Sequence, residues 1–152
     1  MAGKGPTAFY EIEVVLESGA YLPEGWSPGR VFAVPGSCPL WQLAEAIDLG
    51  FGRWDLAHER DFTIGGRRIP GSRGSRGAAR LDSLGLVKED TFEYEFDLGD
   101  SWVHQCRVRN VAPDVDELWD GWKPSLPTAI EGWGNLPDQY GRAAWSDDGD
   151  ED

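Results

Sequence analysis

The two histidines of the chain and a nearby aspartate are the side chains best suited to bind a metal. His58 and His104 are its only imidazoles, and Asp100 lies close before His104. Neutral imidazole and carboxylate oxygen suit several divalent metals, so these three residues are one candidate ligand set. Two histidines without thiolates fall short of a zinc set, and His104 alternates with Trp102 as a core-lining residue does. We therefore expect no cofactor, and a divalent metal is the alternative.

Carboxylates at a turn offer a second kind of chemistry. Asp97 and Asp100 flank Leu98-Gly99, and two carboxylates can serve general acid–base catalysis. At a hairpin tip, Asp and Gly more often satisfy backbone donors and supply the turn geometry. No Cys–His spacing typical of a nucleophile stands out in the sequence. We therefore assign no catalytic residue and favour a protein that is not an enzyme.

Basic residues are concentrated in one stretch of the sequence. Five of the fourteen lysines and arginines fall there, namely Arg67, Arg68, Arg73, Arg76 and Arg80. Guanidinium groups bind phosphate oxygens, so the first four are candidate contacts to a phosphate or a nucleic-acid backbone. The alternative is a mobile, solvated loop whose charge offsets neighbouring carboxylates.

Aromatic residues are concentrated near the C-terminus. The segment from Trp119 to Tyr140 places them among prolines and glycines. Exposed aromatics of this kind anchor protein-binding surfaces, although they can equally cap an open end of the core. On the first hypothesis the partner-binding residues are Trp119, Trp122, Trp133, Asp138 and Tyr140.

The charge of the chain limits the partners that it can bind. Fourteen basic against twenty-seven acidic residues give a formal net charge of −13. This field repels nucleic acid from most of the surface and leaves the arginine-rich stretch as the one place for it. No apolar run is long enough for a signal peptide or a membrane span. We expect a cytoplasmic protein with a protein partner and no membrane contact.

The pattern of apolar residues predicts a fold of the α+β class. We expect one compact domain over residues 1–145, mainly an antiparallel β-sheet with helices packed on one side and an irregular, aromatic-rich C-terminal segment. Residues 70–79 are rich in Gly, Ser and Arg and are expected to form a flexible loop. Residues 146–152 are expected to form a disordered acidic tail.

Local signals define most of the predicted elements. A period of two predicts a strand at Phe9–Leu16, and a short apolar run predicts another at Val31–Val34. An apolar stripe at helical spacing follows, with Ser37 as its N-cap and Gly50 just past its end. Gly65-Gly66 predicts a hairpin turn between two further strands.

The strongest local signal is a hairpin between residues 91 and 111. Two stretches of alternating aromatic and polar residues are separated by Leu98-Gly99-Asp100. A slip of one residue inverts a strand, so the length of the turn decides which faces meet. A three-residue turn predicts the pairs Phe92 with Cys106, Tyr94 with His104, and Phe96 with Trp102. On the other face it predicts diagonal charge pairs of two glutamates with two arginines, namely Glu93, Glu95, Arg107 and Arg109.

With these residues in view, the chain resembles the plasmid pRi ORF-three-like family, whose members are often labelled TnpR or transposon-passenger proteins. Three stretches carry the resemblance, namely Val31 to Gly52, His58 to Gly66, and Phe96 to His104. The third looks like the family's Tyr-Asp-Phe-Gly-Asp-x-Trp-x-His. The family's His-x-His pair corresponds here to His58 and Arg60. The resemblance implies a compact α+β domain linked to mobile elements, without an established reaction.

Two hypotheses on function follow. The first is a non-enzymatic protein-binding or adaptor domain that uses the aromatic C-terminal segment and the acidic surface. The alternative is a metal-dependent or nucleic-acid-associated protein of mobile elements, with the histidines as ligands and the arginine-rich stretch on phosphate.

Overall fold

Seven antiparallel strands form one sheet. The computed structural model describes residues 8–74 and 78–142, so the predicted tail at 146–152 lies outside the described residues. The strands and the helix are β1 Phe9–Ser18, β2 Gly29–Pro35, α1 Leu40–Gly50, β3 Arg60–Ile64, β4 Arg67–Pro70, β5 Thr91–Phe96, β6 Trp102–Ala112 and β7 Thr128–Trp133. Across the sheet their order is β4-β3-β5-β6-β1-β2-β7. The antiparallel sheet that the sequence predicts is therefore present.

One face of this sheet packs beneath α1. The helix turns a fully buried stripe toward the sheet, namely Leu40, Leu43, Ala44 and Ile47. In the described residues α1 is the only α-helix, so the prediction of several helices on one side was wrong. Loops and short 3-10 turns cover the rest of the face. None of the described helical segments has the length and apolar character needed to cross a membrane.

The β5–β6 hairpin has the predicted register. Phe96 pairs with Trp102, and Tyr94 pairs with His104. Strand β5 ends at Phe96 and strand β6 begins at Trp102. In the connection between them, the Ser101 N–H donates to the Asp97 carbonyl at 2.6 Å. Both residues of this last pair have positive φ angles, 61° at Asp97 and 52° at Ser101, which closes the turn tightly. The aromatic row and the Trp–His row therefore meet inside the molecule.

The outer face of β6 makes ion pairs with β1. Arg107 pairs with Glu13 at 2.8 Å and Arg109 pairs with Glu11 at 3.3 Å. The predicted partners on β5 were wrong, namely Glu93 and Glu95. Strand β1 lies on the other side of β6 and sets Glu13 directly opposite Arg107, and opposed side chains are closer than diagonal ones.

Helix α1 begins later than predicted. Its N-cap is Pro39 rather than Ser37, because the chain before the helix pairs with another segment. Leu40 N–H donates to the Ala79 carbonyl at 2.9 Å, and Pro39 forms a bridge with Arg80. These contacts hold Pro39 in an extended conformation, and the chain before it forms a turn at residues 36–37.

The C-terminal end of α1 also differs from the prediction. Gly50 is the last helical residue, and the left-handed glycine is Gly52, with φ at +80°. A Cβ at Gly50 would lie 2.8 Å from the ring of Phe32. Close packing on β2 therefore requires glycine at position 50, and the helix ends two residues before the left-handed glycine.

Two segments predicted to be irregular contain strands. The C-terminal segment includes β7, which pairs with β2 and occupies one edge of the sheet. In the predicted loop 70–79, Pro70 ends β4 and Gly71 is buried against Phe62. Residues 75–77 lie outside the described part of the chain, and the flexibility of the loop stays a prediction.

Four buried polar residues form an ionic cluster between α1 and the sheet. Asp48 lies 3.2 Å from the Arg53 guanidinium and 3.0 Å from the Arg60 Nε, and it accepts a 2.9 Å hydrogen bond from the Tyr94 hydroxyl. The Arg60 Nε makes no hydrogen bond, so its attraction to Asp48 is that of charge alone. Burial raises the pKa of Asp48 to about 6, against the opposing effects of the two arginines and Tyr94. These four residues are called the buried ionic cluster.

Replacing the carboxylate of this cluster should destabilise the fold strongly. The substitution Asp48→Asn leaves two buried guanidinium groups without their counter-charge, and breaking a buried ion pair in this way costs about 3–5 kcal/mol. We expect a loss of that size in the free energy of unfolding, measured by urea denaturation. The control is Asp61→Asn, because Asp61 pairs with the exposed Arg68 and water screens that pair. Equal losses in the two variants would contradict the role of the cluster.

Candidate protein-binding surface

The predicted partner-binding residues fall at two ends of the sheet. Trp119 and Trp122 lie beside Phe9, the first residue of β1. Trp133 packs on Gly29, which pairs near the far end of β1. Gly29 pairs with Val15, so six residues of β1 separate the two ends by roughly 20 Å. The structure therefore does not bring these residues into one surface.

Trp119 closes a small apolar cluster at the first end. Its ring meets Phe9 edge-on with ring centroids 6.4 Å apart, and its Nε1 donates to Glu11 Oε1 at 2.9 Å. Trp122 packs against Trp119 and remains 45% exposed. Trp119 therefore caps an open end of the core, which is the alternative that the sequence left open for this segment.

Gln139 fixes the chain at the second end. The side chain is buried, and its Oε1 accepts hydrogen bonds from the backbone N–H groups of Trp54 and Asp55, each at 3.0 Å. Its Nε2 donates to the Asp55 carbonyl at 2.8 Å. One amide side chain thus satisfies three backbone groups and ties together segments far apart in sequence.

Tyr140 adds a second attachment beside the first. Its hydroxyl donates to Asp55 Oδ2 and lies next to His58 Nε2, each at 2.8 Å. The other imidazole nitrogen, Nδ1, lies 3.5 Å from Asp97 Oδ2. The hydrogen bond to Asp55 raises the pKa of Tyr140 to about 12, so the hydroxyl stays protonated and acts as a donor. We call His58, Tyr140, Asp55 and Asp97 the His58 cluster.

A groove of about 300 Å³ lies between the segment at residues 136–141 and the loop that follows β1. We call it the aromatic groove, and it is lined by Tyr21, Pro23, Trp26, Leu136, Pro137, Asp138 and Gly141. Asp138 supplies the only charged side chain among them. Its carboxylate accepts from the Tyr140 and Arg142 N–H groups and pairs with the Arg142 guanidinium at 3.3 Å.

The loop between β1 and β2 forms the other wall of the aromatic groove. Ala20 N–H donates to the Asp100 carbonyl at 3.0 Å, which attaches the start of the loop to the tip of the β5–β6 hairpin. Tyr21 lies against Trp102 with ring centroids 6.4 Å apart. A backbone hydrogen bond of 3.1 Å closes the turn that ends at Trp26. The hairpin therefore positions the aromatic side of the groove.

His104, a predicted metal ligand, lies in the core. It is fully buried beside the rings of Phe51 and Tyr94. Its Nδ1 lies 2.9 Å from the Tyr94 carbonyl and must donate, because a carbonyl oxygen only accepts. Burial, and then the charge of Arg53, lowers the pKa of His104 well below its ordinary value. The imidazole is neutral and serves as a core-lining donor.

The other two predicted ligands lie elsewhere. His58 belongs to the His58 cluster, and Asp100 lies in the β5–β6 turn, where its N–H donates to Asp97 Oδ1 at 3.3 Å. Among residues 8–74 and 78–142, no group of three or more His, Cys, Asp or Glu side chains is arranged to hold a metal ion. The structure does not gather the predicted ligand set, and Asp97 satisfies backbone donors of the turn instead.

Two of the four predicted phosphate contacts are engaged with the protein itself. Arg68 pairs with the carboxylate of Asp61 at 2.7 Å. Arg73 lies over the ring of Trp41 at 4.1 Å and pairs with a helix carboxylate at 3.7 Å. Arg67 is exposed on β4, and Arg76 lies outside the described residues.

Comparison with known proteins adds a family and a fold. The family model described as plasmid pRiA4b ORF-3-like protein matches residues 9–141. The crystal structure of a protein of unknown function from Methanosarcina mazei Go1 is similar, with a TM-score of 0.66 and 20% sequence identity. This likeness covers 88% of this chain and 73% of that one, and at such identity it establishes the fold alone. No curated protein matches the chain.

Analysis of the sequence missed most of the aromatic groove. Trp26 stands out in a loop rich in Gly and Pro, but no periodicity links it to residues 136–141. Gln139 has no signal of its own, because its role depends on three backbone groups that the fold brings close to it. For Tyr140 and Asp138, the aromatic content of the segment was the signal that singled them out.

A methyl group at Gly141 should displace one wall of the groove. The φ angle there is +71°, and a Cβ would lie 2.6 Å from Tyr21 Cδ1. We expect Gly141→Ala to shift the aromatic NMR resonances of Tyr21 and of its neighbour Trp102. The matched control is Gly85→Ala, which has the same φ angle and no atom within 4 Å of the added carbon. Unmoved Tyr21 resonances in Gly141→Ala would contradict the described packing.

Loss of the Gln139 amide should loosen the segment that it ties down. Gln139→Leu keeps the size of the side chain but leaves the N–H groups of Trp54 and Asp55 without partners, which costs about 1–3 kcal/mol. We expect faster amide hydrogen exchange at these two residues, measured by NMR. Gln105→Leu, on the outer face of β6, should leave both exchange rates unchanged. Equal rates in wild type and Gln139→Leu would show that the amide does not hold the turn.

Proposed function

The chain belongs to the plasmid pRiA4b ORF-3-like protein family, and from that premise we propose that it is a non-enzymatic, protein-binding domain of the adaptor kind. The observation that carries the proposal is a set of aromatic side chains that lie at one end of the sheet and are exposed or half-buried. They are Tyr21, Trp26, Trp54, Trp133 and Tyr140.

These side chains have the character of interface anchors. Trp54 is 52% exposed, Tyr21 43% and Trp133 39%, so each leaves a large apolar area in contact with water. Tryptophan and tyrosine are the residues that most often dominate the binding energy of protein interfaces. Binding a partner would remove this surface from water, and that removal is the driving force that the proposal invokes.

The aromatic surface is also held in place before any partner arrives. Gln139 and Tyr140 tie the 136–142 segment to the turn at Trp54 and Asp55. Trp54 in turn packs edge-on against Tyr140, with ring centroids 5.3 Å apart. A surface ordered in this way loses less conformational entropy on binding than a mobile one. Such pre-organisation favours a binding role for the segment.

The alternative function has less support in the geometry. Contact with nucleic acid requires guanidinium groups free to reach phosphate, and Arg68 and Arg73 are already paired with carboxylates of the chain. The formal net charge of −13 opposes such contact over the rest of the surface. In the His58 cluster the Tyr140 hydroxyl donates to Asp55, so the contacts of this cluster hold the C-terminal segment to the loop after α1.

The proposal is tested by identifying a partner and then measuring its affinity. The immobilised chain captures candidates from a lysate of its source, and each candidate is produced in pure form for calorimetric titration. We expect Trp133→Ala to weaken binding of the true partner roughly tenfold or more, as is usual for an aromatic anchor. Circular dichroism confirms that the variant is folded.

The matched control is Trp122→Ala, because Trp122 is similarly exposed but lies at the opposite end of β1. It should leave the affinity unchanged. Binding that is lost in Trp122→Ala and kept in Trp133→Ala would move the interface to the other end and overturn the proposal. Failure of every purified candidate to bind would overturn it as well.

A further inference from the structure

We propose that the aromatic groove binds an extended, proline-containing segment of a basic protein. This inference rests on the proposed function and names the chemistry of the partner. Its basis is the combination of aromatic lining, a groove that lies between two attached segments, and the acidic charge of the chain.

The lining of the groove matches the side chain of proline. Tyr21 and Trp26 offer aromatic faces on one side, and Leu136 and Pro137 offer apolar surface on the other. Aromatic-lined grooves bind proline-rich segments, whose rings present flat apolar surfaces on a polyproline II helix. That helix is largely formed before binding, so its capture costs little conformational entropy.

The same lining is poorly suited to an amphipathic helix. A helix binds by laying a row of apolar anchors, spaced over about two turns, into a hydrophobic groove. Leu136 is the only aliphatic side chain among the seven residues of the groove. The volume of about 300 Å³ is also at the lower end of the usual range for binding sites. An extended chain is therefore the better fit.

Charge selects a basic partner for this groove. Asp138 lines the groove but already pairs with Arg142. Glu24, between Pro23 and Trp26 in the loop that joins β1 and β2, is exposed and can face a partner. The formal net charge of −13 favours approach of a positively charged segment and repels an acidic one.

The chain itself shows that this surface accepts a guanidinium group. Arg142 lies over the ring of Trp54 at 4.5 Å while it pairs with Asp138 at 3.3 Å. A cation above an aromatic face with a carboxylate beside it is a favourable arrangement in proteins. Arginines of a partner that flank its prolines would find exposed aromatic and acidic groups of the same kind.

Synthetic peptides test the inference directly. Each peptide of the set contains two prolines that are separated by two varied residues and flanked by arginine. Binding of the peptides to the full chain is measured by tryptophan fluorescence and by calorimetry. We expect members of the set to bind, and replacement of both prolines by alanine to weaken them roughly tenfold or more. Peptides in which glutamate replaces the arginines should bind more weakly than the arginine peptides. Added salt should reduce the affinity of the arginine peptides.

Substitutions in the chain locate the binding site. Trp26→Ala should abolish the peptide signal, and Leu136→Ala should weaken it. Trp122→Ala, at the other end of β1, should have no effect. Chemical-shift changes of backbone amides in the two loops provide a second readout that does not depend on Trp26 fluorescence.

The outcomes separate this inference from the proposed function. If no peptide of the set binds, or if the alanine peptides bind equally well, the inference is overturned. If a purified protein partner still binds through Trp133 in that case, the proposed function stands and the groove is not its proline site. If peptides bind with an affinity that Trp26→Ala does not change, the groove is not the site and the inference fails.

Discussion

The buried ionic cluster is the interaction on which the rest of the structure depends. It joins α1 through Asp48, the following loop through Arg53, β3 through Arg60 and β5 through Tyr94. The Arg53 guanidinium also lies over three aromatic rings of the core, namely Phe51, Phe96 and Trp102. Because a buried charge is tolerated only beside its partner, these four elements can pack together only in the arrangement that pairs Asp48 with the two arginines. The arrangement also fixes the position of Arg53, and therefore that of the exposed Trp54 that follows it.

The surface around Trp54 and the 136–142 segment is held together by hydrogen bonds of polar side chains and not by a second apolar core. Gln139 satisfies three backbone groups of the turn after α1, and Tyr140 reaches the carboxylate of Asp55. The nearby rings of Tyr21 and Trp54 pack against the chain on one side and remain 43% and 52% exposed. The aromatic groove follows from that division, since the polar groups hold the segment and the rings remain available. His58 supports the same attachment through its contact with Tyr140.

Features that depend on neighbours in sequence were largely predictable. The strand at Phe9, the turn at Gly65-Gly66 and the register of Phe96 with Trp102 all match the structure, because a period of two and a turn of defined length determine local pairing. The N-cap and the charge pairs on β6 were not predictable. Pairing of residues 36–39 with another segment displaced the start of α1, and the position of β1 decided which glutamates face Arg107.

The sequence by itself determined the antiparallel character of the sheet, the pairing inside the hairpin and the burial of His104 beside Tyr94. It also indicated that aromatic residues near the C-terminus matter. Only the tertiary structure decided which of them share a surface, because six residues of β1 lie between the position of Trp119 and that of Trp133. Likewise, Trp26 and Leu136 meet in one groove only after the sheet has formed. Contacts between residues so far apart in sequence leave no local pattern, since each segment is compatible with many partners until the core selects one.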